Sequence, residues 1–277
     1  MNLLAIETST EFCSLAVCRG DTLSAMHFLA AQRHGETVLE STRQLLAQAG
    51  LELKDLDGIA FGHGPGSFTG LRIACGVTQG LALALGIPVK GISTLLAMAE
   101  ESGADKVIAC LDARMGEVYH AVYRRDEGDS ERSGGGDISG KSDTRGGGAG
   151  DAVDASAAPR PARWIEVAAP GLYSPDAISA VDGSGWTACG TGFTVHGAVL
   201  AQHCAGRGGI IATLPEAVPT ARAVLALARP QFEAGAGDDA ALALPVYLRD
   251  KVALTKLERQ SGMKTPGDQP RLGGMKA

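Results

Sequence analysis

The spacing of apolar residues changes along the first hundred positions, and this change separates strands from helices. Short apolar runs divided by tight turns predict a meander of antiparallel strands at 3–8, 13–19 and 22–28. Apolar residues then recur at helical spacing, with Gly50 as a stop, over 36–50. Strands and helices alternate next, at 57–64, 69–85, 87–93 and 93–101. This order predicts a mixed sheet with helices packed against it.

A second set of elements begins at residue 106, again with strands. Two strands are predicted around the turn Met115-Gly116, at 106–114 and 117–124. Later segments predict strands at 164–169 and 186–192 and helices at 174–181, 193–204 and 219–232. We therefore predict two α/β lobes, 1–105 and 106–256, followed by a frayed tail at 257–277.

Residues 125–162 interrupt the second lobe with Gly, Ser, Asp and Ala, which offer almost nothing to bury. This composition predicts a flexible insertion. Its arginines leave open an RNA-binding tail, but acids lie between them and no aromatic residue does. A solvated extension of a hairpin is therefore the favoured interpretation.

Composition and charge narrow the class of protein. The 277 residues are 45% hydrophobic, which is enough for a substantial core. A net charge of −6 argues against a chain that binds nucleic acid by itself, because such chains usually carry a basic surface. The six cysteines form no C-x-x-C pair and no zinc spacing with histidine, which predicts reduced thiols and a cytoplasmic location. We expect neither a signal peptide nor a membrane association.

The stretch GHGPGSFTGLR, at 62–72, crowds four glycines and a proline into one turn. It lacks the lysine of a P-loop, and Gly70 comes one residue late for a G-x-G-x-x-G motif. In one interpretation, the amides of residues 67–69 bind a phosphate at the start of the next helix. In the other, the glycines allow a sharp strand-to-helix turn that Ser67 or Thr69 caps. The spacing favours the turn.

No catalytic set stands out in the sequence. No histidines are placed at i, i+4, no G-x-S-x-G motif occurs, and acids such as Glu7, Asp112 and Glu117 are scattered. We therefore predict no catalytic residue and no metal site in this chain.

Five stretches carry a resemblance to a known family: LAIETST (4–10), GPGSFTGLRIACGVTQGLA (64–82), DARMGEVYHAVY (112–123), GTG (190–192) and PVYLRDKVALTK (245–256). Together they resemble the TsaB family, formerly YeaZ, of bacterial tRNA threonylcarbamoyladenosine biosynthesis proteins. The resemblance implies the two-lobed α/β fold of the actin, hexokinase and Hsp70 ATPase group, with a mixed sheet and helices in each lobe. It also implies a vestigial phosphate-binding corner at Thr8, Ser9 and Thr10. Glu7 stands where that group usually has an aspartate.

The resemblance further implies a non-catalytic subunit that binds the catalytic paralogue TsaD and works with the ATPase TsaE. These proteins transfer threonylcarbamoyl from its adenylate to the adenosine beside the anticodon, in tRNAs that read codons beginning with adenine. This chain would reach tRNA indirectly, through the complex. Metal and adenylate are expected on the partner, and an ATP or ADP site at the interface with TsaD is left open. The competing hypothesis is a free-standing ATPase or small-molecule kinase, suggested by the corner and the glycine turn at 190–192.

The helices at 36–49 and 69–85 form the candidate docking face, because the second is apolar on nearly every side. Gly76 and Gly80 lie four residues apart in it and indicate close approach by another backbone. The residues expected to contact the partner are Val38, Leu39, Leu45, Leu46, Arg72, Ile73, Val77 and Gly80. Burial of both helices within the lobe is the competing interpretation. An exposed apolar face also predicts a homodimer when the partner is absent.

Overall fold

The computed structural model describes residues 1–31, 33–126, 163–204 and 208–249. The first part of the chain forms a five-stranded mixed sheet of order β3-β2-β1-β4-β5. Its strands are β1 (Asn2–Glu7), β2 (Phe12–Arg19), β3 (Thr22–Leu29), β4 (Gly58–Gly64) and β5 (Val89–Ser93). Strands β1 to β3 form the predicted antiparallel meander, and β4 and β5 continue the sheet in parallel with β1.

A second sheet repeats this topology. Its strands are β6 (Lys106–Arg114), β7 (Glu117–Arg125), β8 (Trp164–Tyr173), β9 (Ser184–Cys189) and β10 (Gly208–Leu214), in the order β8-β7-β6-β9-β10. Strands β6 to β8 form an antiparallel meander, and β9 and β10 run parallel to β6. Two sheets built on one plan confirm the predicted two-lobed, actin-like α/β fold.

Helices cover both faces of the first sheet. The helices of the described residues are α1 (His34–Gln48), α2 (Phe68–Leu85), α3 (Thr94–Glu101), α4 (Thr191–Cys204) and α5 (Ala221–Glu233). Of these, α4 packs on the second sheet instead. Helices α1 and α2 bury one face of the first sheet, which includes Leu4 and Ile6. Helix α5 buries the other face, which includes Leu3 and Ala5. Burial on both faces explains why β1 is continuously apolar instead of alternating.

The packing corrects two details of the sequence prediction and adds one strand. Helix α5 lies on the first sheet although it falls within the range 106–256 assigned to the second lobe, because its apolar stripe completes the first core. The predicted helix at 174–181 is only a single turn, Pro175–Ala177, which ends where Ile178 becomes extended. Strand β10 was not predicted, since its apolar run is short and opens with two glycines.

The hairpin of β7 and β8 frames the predicted insertion. Arg125 pairs with Trp164 across the two strands, and the guanidinium carbon of Arg125 lies 4.6 Å from the centroid of the Trp164 ring. Beyond Arg125 and Asp126, the predicted insertion at 125–162 lies outside the described residues, as does the predicted tail at 257–277.

Candidate functional site

The glycine loop packs directly against the turn that follows β1. The Thr8 hydroxyl donates a 2.8 Å hydrogen bond to the Gly70 carbonyl, and the Ser67 amide donates one of 2.7 Å to the Ser9 carbonyl. A Cβ at Gly70 would lie 1.8 Å from the Thr8 carbonyl oxygen, and one at Gly66 would lie 2.6 Å from the Ser9 Cβ. These glycines are therefore required by close contact between two backbone segments.

The same loop sets the direction in which α2 leaves the sheet. Gly64 has a φ of +122°, and a Cβ there would lie 2.5 Å from the Val246 carbonyl oxygen. The Ser67 side chain then caps the helix by accepting a hydrogen bond from the Gly70 amide, at 3.4 Å. The interpretation of the loop as a capped strand-to-helix turn is therefore confirmed.

Glu7 is buried at the base of this corner. Its Oε1 accepts a 2.6 Å hydrogen bond from the Ser9 amide. Its Oε2 has no hydrogen-bond partner among the described residues and packs against Gly62, where a Cβ would lie 1.7 Å away. Loss of solvent raises the pKa of the Glu7 carboxyl, and the contacts with Ser9 lower it by less. This carboxylate faces protein, not an open cleft.

The residues of the predicted phosphate corner are largely buried in this structure. Thr8 and Ser9 are buried, Thr10 is half-buried, and the Thr8 hydroxyl is already committed to Gly70. The chain's own glycine loop packs directly against Thr8 and Ser9. Within the described ranges, no group of three or more His, Cys, Asp or Glu side chains is placed to hold a metal ion.

The other acids considered from the sequence are also held in structural contacts. Asp112 lies 3.2 Å from the Arg114 guanidinium, and its amide is bonded to the Thr191 hydroxyl. Glu117 lies 2.7 Å from the Arg249 guanidinium. Asp112 and Glu117 are therefore each paired with an arginine, as Glu7 is bonded to the Ser9 amide.

Helix α2 is an apolar helix with a largely exposed surface. Its 18 residues are long and apolar enough to span a membrane by composition alone, yet only 33% of them are buried. Leu83 is 57% exposed. Gly76 and Gly80 are also exposed, and no atom of a described residue lies within 4 Å of a Cβ built at either. No described residue explains these glycines, so their role as a point of close approach stays a prediction.

The structure divides the predicted docking residues into core and surface. Val38, Leu45 and Leu46 are fully buried in the core beneath α1, so their prediction as partner contacts is wrong. Helical spacing indicated that these residues form one apolar face of α1, but it could not indicate that the chain's own sheet buries this face. Leu39, on the opposite side of α1, is 54% exposed.

The remaining predicted contacts lie on α2. Ile73 and Val77 are half-buried and pack against the core beside α1. Arg72 and Gly80 are exposed. Of the predicted set, Leu39, Arg72 and Gly80 are therefore the residues most open to a partner.

Two further surface residues were not found from the sequence. Phe68 is 42% exposed and Tyr247 is 39% exposed, and both contact Arg72. We call Phe68, Arg72 and Tyr247 the Arg72 cluster. Phe68 and Tyr247 stand in the two motifs GPGSFTGLR and PVYLRDK, but Arg72 and Tyr247 are 175 positions apart, and no local pattern could join them.

Comparison with known proteins agrees with this architecture. A family model described as "TsaD: tRNA N6-adenosine threonylcarbamoyltransferase" matches residues 28–255. The tRNA threonylcarbamoyladenosine biosynthesis protein TsaB of Escherichia coli is 46% identical over 131 residues, which are 46% of this chain and 57% of that protein. TsaB of Haemophilus influenzae is 31% identical over 262 residues, 93% of this chain and 97% of that protein. The chain belongs to the TsaB family.

A solved structure of the TsaB family, also named YeaZ, supports this assignment. YeaZ from Pseudomonas aeruginosa superposes with a TM-score of 0.70 at 32% identity, over 89% of this chain and 99% of that one. The whole of that TsaB-family fold is therefore contained in this chain.

Proposed function

We propose that this chain is a non-catalytic scaffold and activating subunit for the transfer of threonylcarbamoyl to tRNA. In this proposal it binds the catalytic paralogue TsaD, which accepts threonylcarbamoyl-adenylate and modifies the adenosine beside the anticodon. TsaE supplies the ATPase, and tRNA is held by the assembled complex. The location is the cytoplasm, in keeping with six cysteines that are all buried and free.

The exposed face of α2 is the observation that carries the proposal. Phe68, Arg72, Gly76, Gly80 and Leu83 follow one another at steps of three or four residues, so they form one stripe along the helix. All of them are exposed. We call them the α2 stripe. Small residues at its centre allow a partner backbone to approach closely, and apolar residues at its ends offer area to bury.

A partner of the same fold suits this stripe. The family model that matches the chain carries the name of TsaD, so the catalytic protein and this chain share one ancestral plan. In a two-fold symmetric dimer both subunits use the same surface patch. By analogy, an α2-like helix on TsaD would pack against the stripe. The same stripe on a second copy accounts for a homodimer when TsaD is absent.

Independent nucleotide turnover has no support from the corner after β1. Thr8 and Ser9 are buried beneath the glycine loop, and the Glu7 carboxyl is buried against Ser9 and Gly62. An ATP or ADP site is therefore placed, in this proposal, on TsaD or at its interface with this chain.

Reconstitution tests the proposal. Purified TsaD, TsaE, tRNA and threonylcarbamoyl-adenylate are combined with and without this chain, and the modified nucleoside is measured by mass spectrometry. We expect no product from this chain alone and a strong rise when it joins the mixture. An equal yield without it would refute the proposal. Micromolar binding and steady hydrolysis of Mg-ATP by the lone chain, measured by calorimetry and phosphate release, would favour the kinase or ATPase hypothesis instead.

A further inference from the structure

Arg72 is exposed and has no acidic partner among the described residues. Most arginines in the described residues do form ion pairs with a carboxylate: Arg33, Arg43, Arg114, Arg125, Arg222, Arg229 and Arg249. An unpaired arginine would be unremarkable if it moved freely in solvent. Arg72 is instead held in place.

Two aromatic side chains hold the Arg72 guanidinium. Its Cζ lies 3.8 Å from the centroid of the Phe68 ring, a stacking distance. Its Nε donates a 2.9 Å hydrogen bond to the Tyr247 hydroxyl. The Phe68 and Tyr247 rings are 5.1 Å apart, so the two supports also contact each other. Stacking occupies the flat face of the guanidinium and leaves the donors in its plane accessible.

The two terminal amino groups of this guanidinium are available to bind an anion. Nε is used by Tyr247, and neither terminal amino group has a hydrogen-bond partner among the described residues. Two parallel N–H donors match the two oxygens of a carboxylate or a phosphate. A side chain fixed beforehand loses little conformational entropy on binding such a group.

We propose that the Arg72 cluster binds one carboxylate of the partner subunit and so selects the partner that docks on α2. The inference rests on the proposed function, because Arg72 belongs to the α2 stripe. Gly76 and Gly80 mark the closest approach of the partner, and Arg72 lies one to two turns toward the helix start. The partner carboxylate therefore lies about 6–12 Å along the α2 axis from those glycines.

A protein carboxylate suits the site better than an RNA phosphate. Binding to a phosphate backbone requires several unpaired cations, and Arg114 and Arg249 are already paired with Asp112 and Glu117. The chain as a whole has a net charge of −6. An arginine framed by exposed aromatic rings is also the composition that dominates binding energy at protein interfaces.

Binding to purified TsaD from the same organism tests the inference. We expect Arg72→Gln to raise the Kd of the heterodimer about 10- to 100-fold, the loss typical of a hydrogen bond to a charged group. Arg72→Lys keeps the positive charge but lacks the two parallel N–H donors of the guanidinium. We expect its Kd to lie between those of the wild type and Arg72→Gln. Tyr247→Phe removes only the hydroxyl and should raise the Kd several-fold. It should have no further effect in the Arg72→Gln background, because its role is to position Arg72.

Arg19→Gln is the matched control. Arg19 is likewise exposed and without an acidic partner among the described residues, but it lies at the end of β2 remote from the Ser9 corner. Its Kd should stay within about twofold of the wild-type value, as expected for an isolated surface residue. Thermal unfolding verifies that all variants are folded.

The outcomes separate the inference from the function on which it rests. If the wild-type chain binds TsaD and Arg72→Gln binds equally well, the carboxylate inference is wrong and the scaffold function stands. If Arg72→Gln leaves the heterodimer intact but weakens its retention of tRNA, Arg72 contacts phosphate and the inference is also wrong. If the wild-type chain does not bind TsaD at all, both proposals fail.

Discussion

Replacing Gly80 with alanine should stabilise the isolated chain while weakening its complex. Gly80 lies inside α2, where glycine costs about 1 kcal/mol relative to alanine. In the described structure, no atom lies within 4 Å of a Cβ built there. The new methyl group therefore has room, and the free energy of unfolding should rise by about 1 kcal/mol. For a folded region of this size, the melting temperature should rise by about 2–4 °C.

The effect on the complex has the opposite sign. If Gly80 is present because a partner backbone lies against it, the methyl group occupies the space that the partner needs. Overpacking of this kind costs about 1–3 kcal/mol in protein interiors, which corresponds to about a 5- to 150-fold rise in Kd. Thermal unfolding of the monomer and calorimetric titration with TsaD measure the two effects separately.

Gly70→Ala provides the contrasting control on the same helix. A Cβ at Gly70 would lie 1.8 Å from the Thr8 carbonyl oxygen, a backbone atom that cannot swing aside. We expect a loss of at least about 2 kcal/mol of stability despite the better helix propensity of alanine. A lower melting temperature for Gly80→Ala would show that its surroundings are not open. An unchanged Kd would show that the glycine does not serve partner approach, and either result refutes the reasoning.

Four further substitutions separate surface, core and electrostatic contributions. Leu83→Ser should change the free energy of unfolding by less than about 0.5 kcal/mol and weaken TsaD binding, whereas Leu45→Ala should cost about 2–5 kcal/mol by denaturant unfolding. The raised pKa of Glu7 means that the folded state keeps a proton after the unfolded carboxyl, near its ordinary 4.5, has lost it. The contribution of Glu7 to the free energy of unfolding should therefore fall as the pH rises above about 4.5. The Glu7→Gln variant lacks this titration, so its free energy of unfolding should fall less than that of the wild type in a pH series. Parallel pH curves for the two proteins would contradict this reasoning. Arg249→Gln leaves the Glu117 carboxylate without its cation and should cost about 3 kcal/mol, which adding Glu117→Gln should partly restore.

Much of the fold could be predicted because it depends on local spacing. The run LLAIE and the alternation in β7 indicated strands, and the repeat of a strand-first pattern at residue 106 indicated two lobes. The close glycines of the 62–72 loop indicated a sharp turn into α2, and Ser67 was correctly identified as a possible cap. Such features involve residues that are near one another in the chain, so their pattern is visible without coordinates.

The candidate site depended on contacts that no local pattern contains. The apolar stripe of α1 was evident, but its residues Val38 and Leu45 proved to be core while Leu39 faces solvent. The support of Arg72 by Tyr247 joins positions 175 residues apart. An apolar stripe along a helix indicates only that this face must be buried. It does not indicate whether the sheet, another helix or a second protein buries it.

The sequence by itself determined most of the elements, their order, the family and the tight turn at the start of α2, because each of these depends on residues that are near one another in the chain. Only the tertiary structure decided that the chain's own glycine loop closes the corner at Thr8 and Ser9. It alone showed that α5 completes the first lobe and that the described residues leave the α2 stripe exposed. A helix face stays exposed only where no other element packs against it. Its exposure therefore depends on the whole fold and not on its own sequence alone.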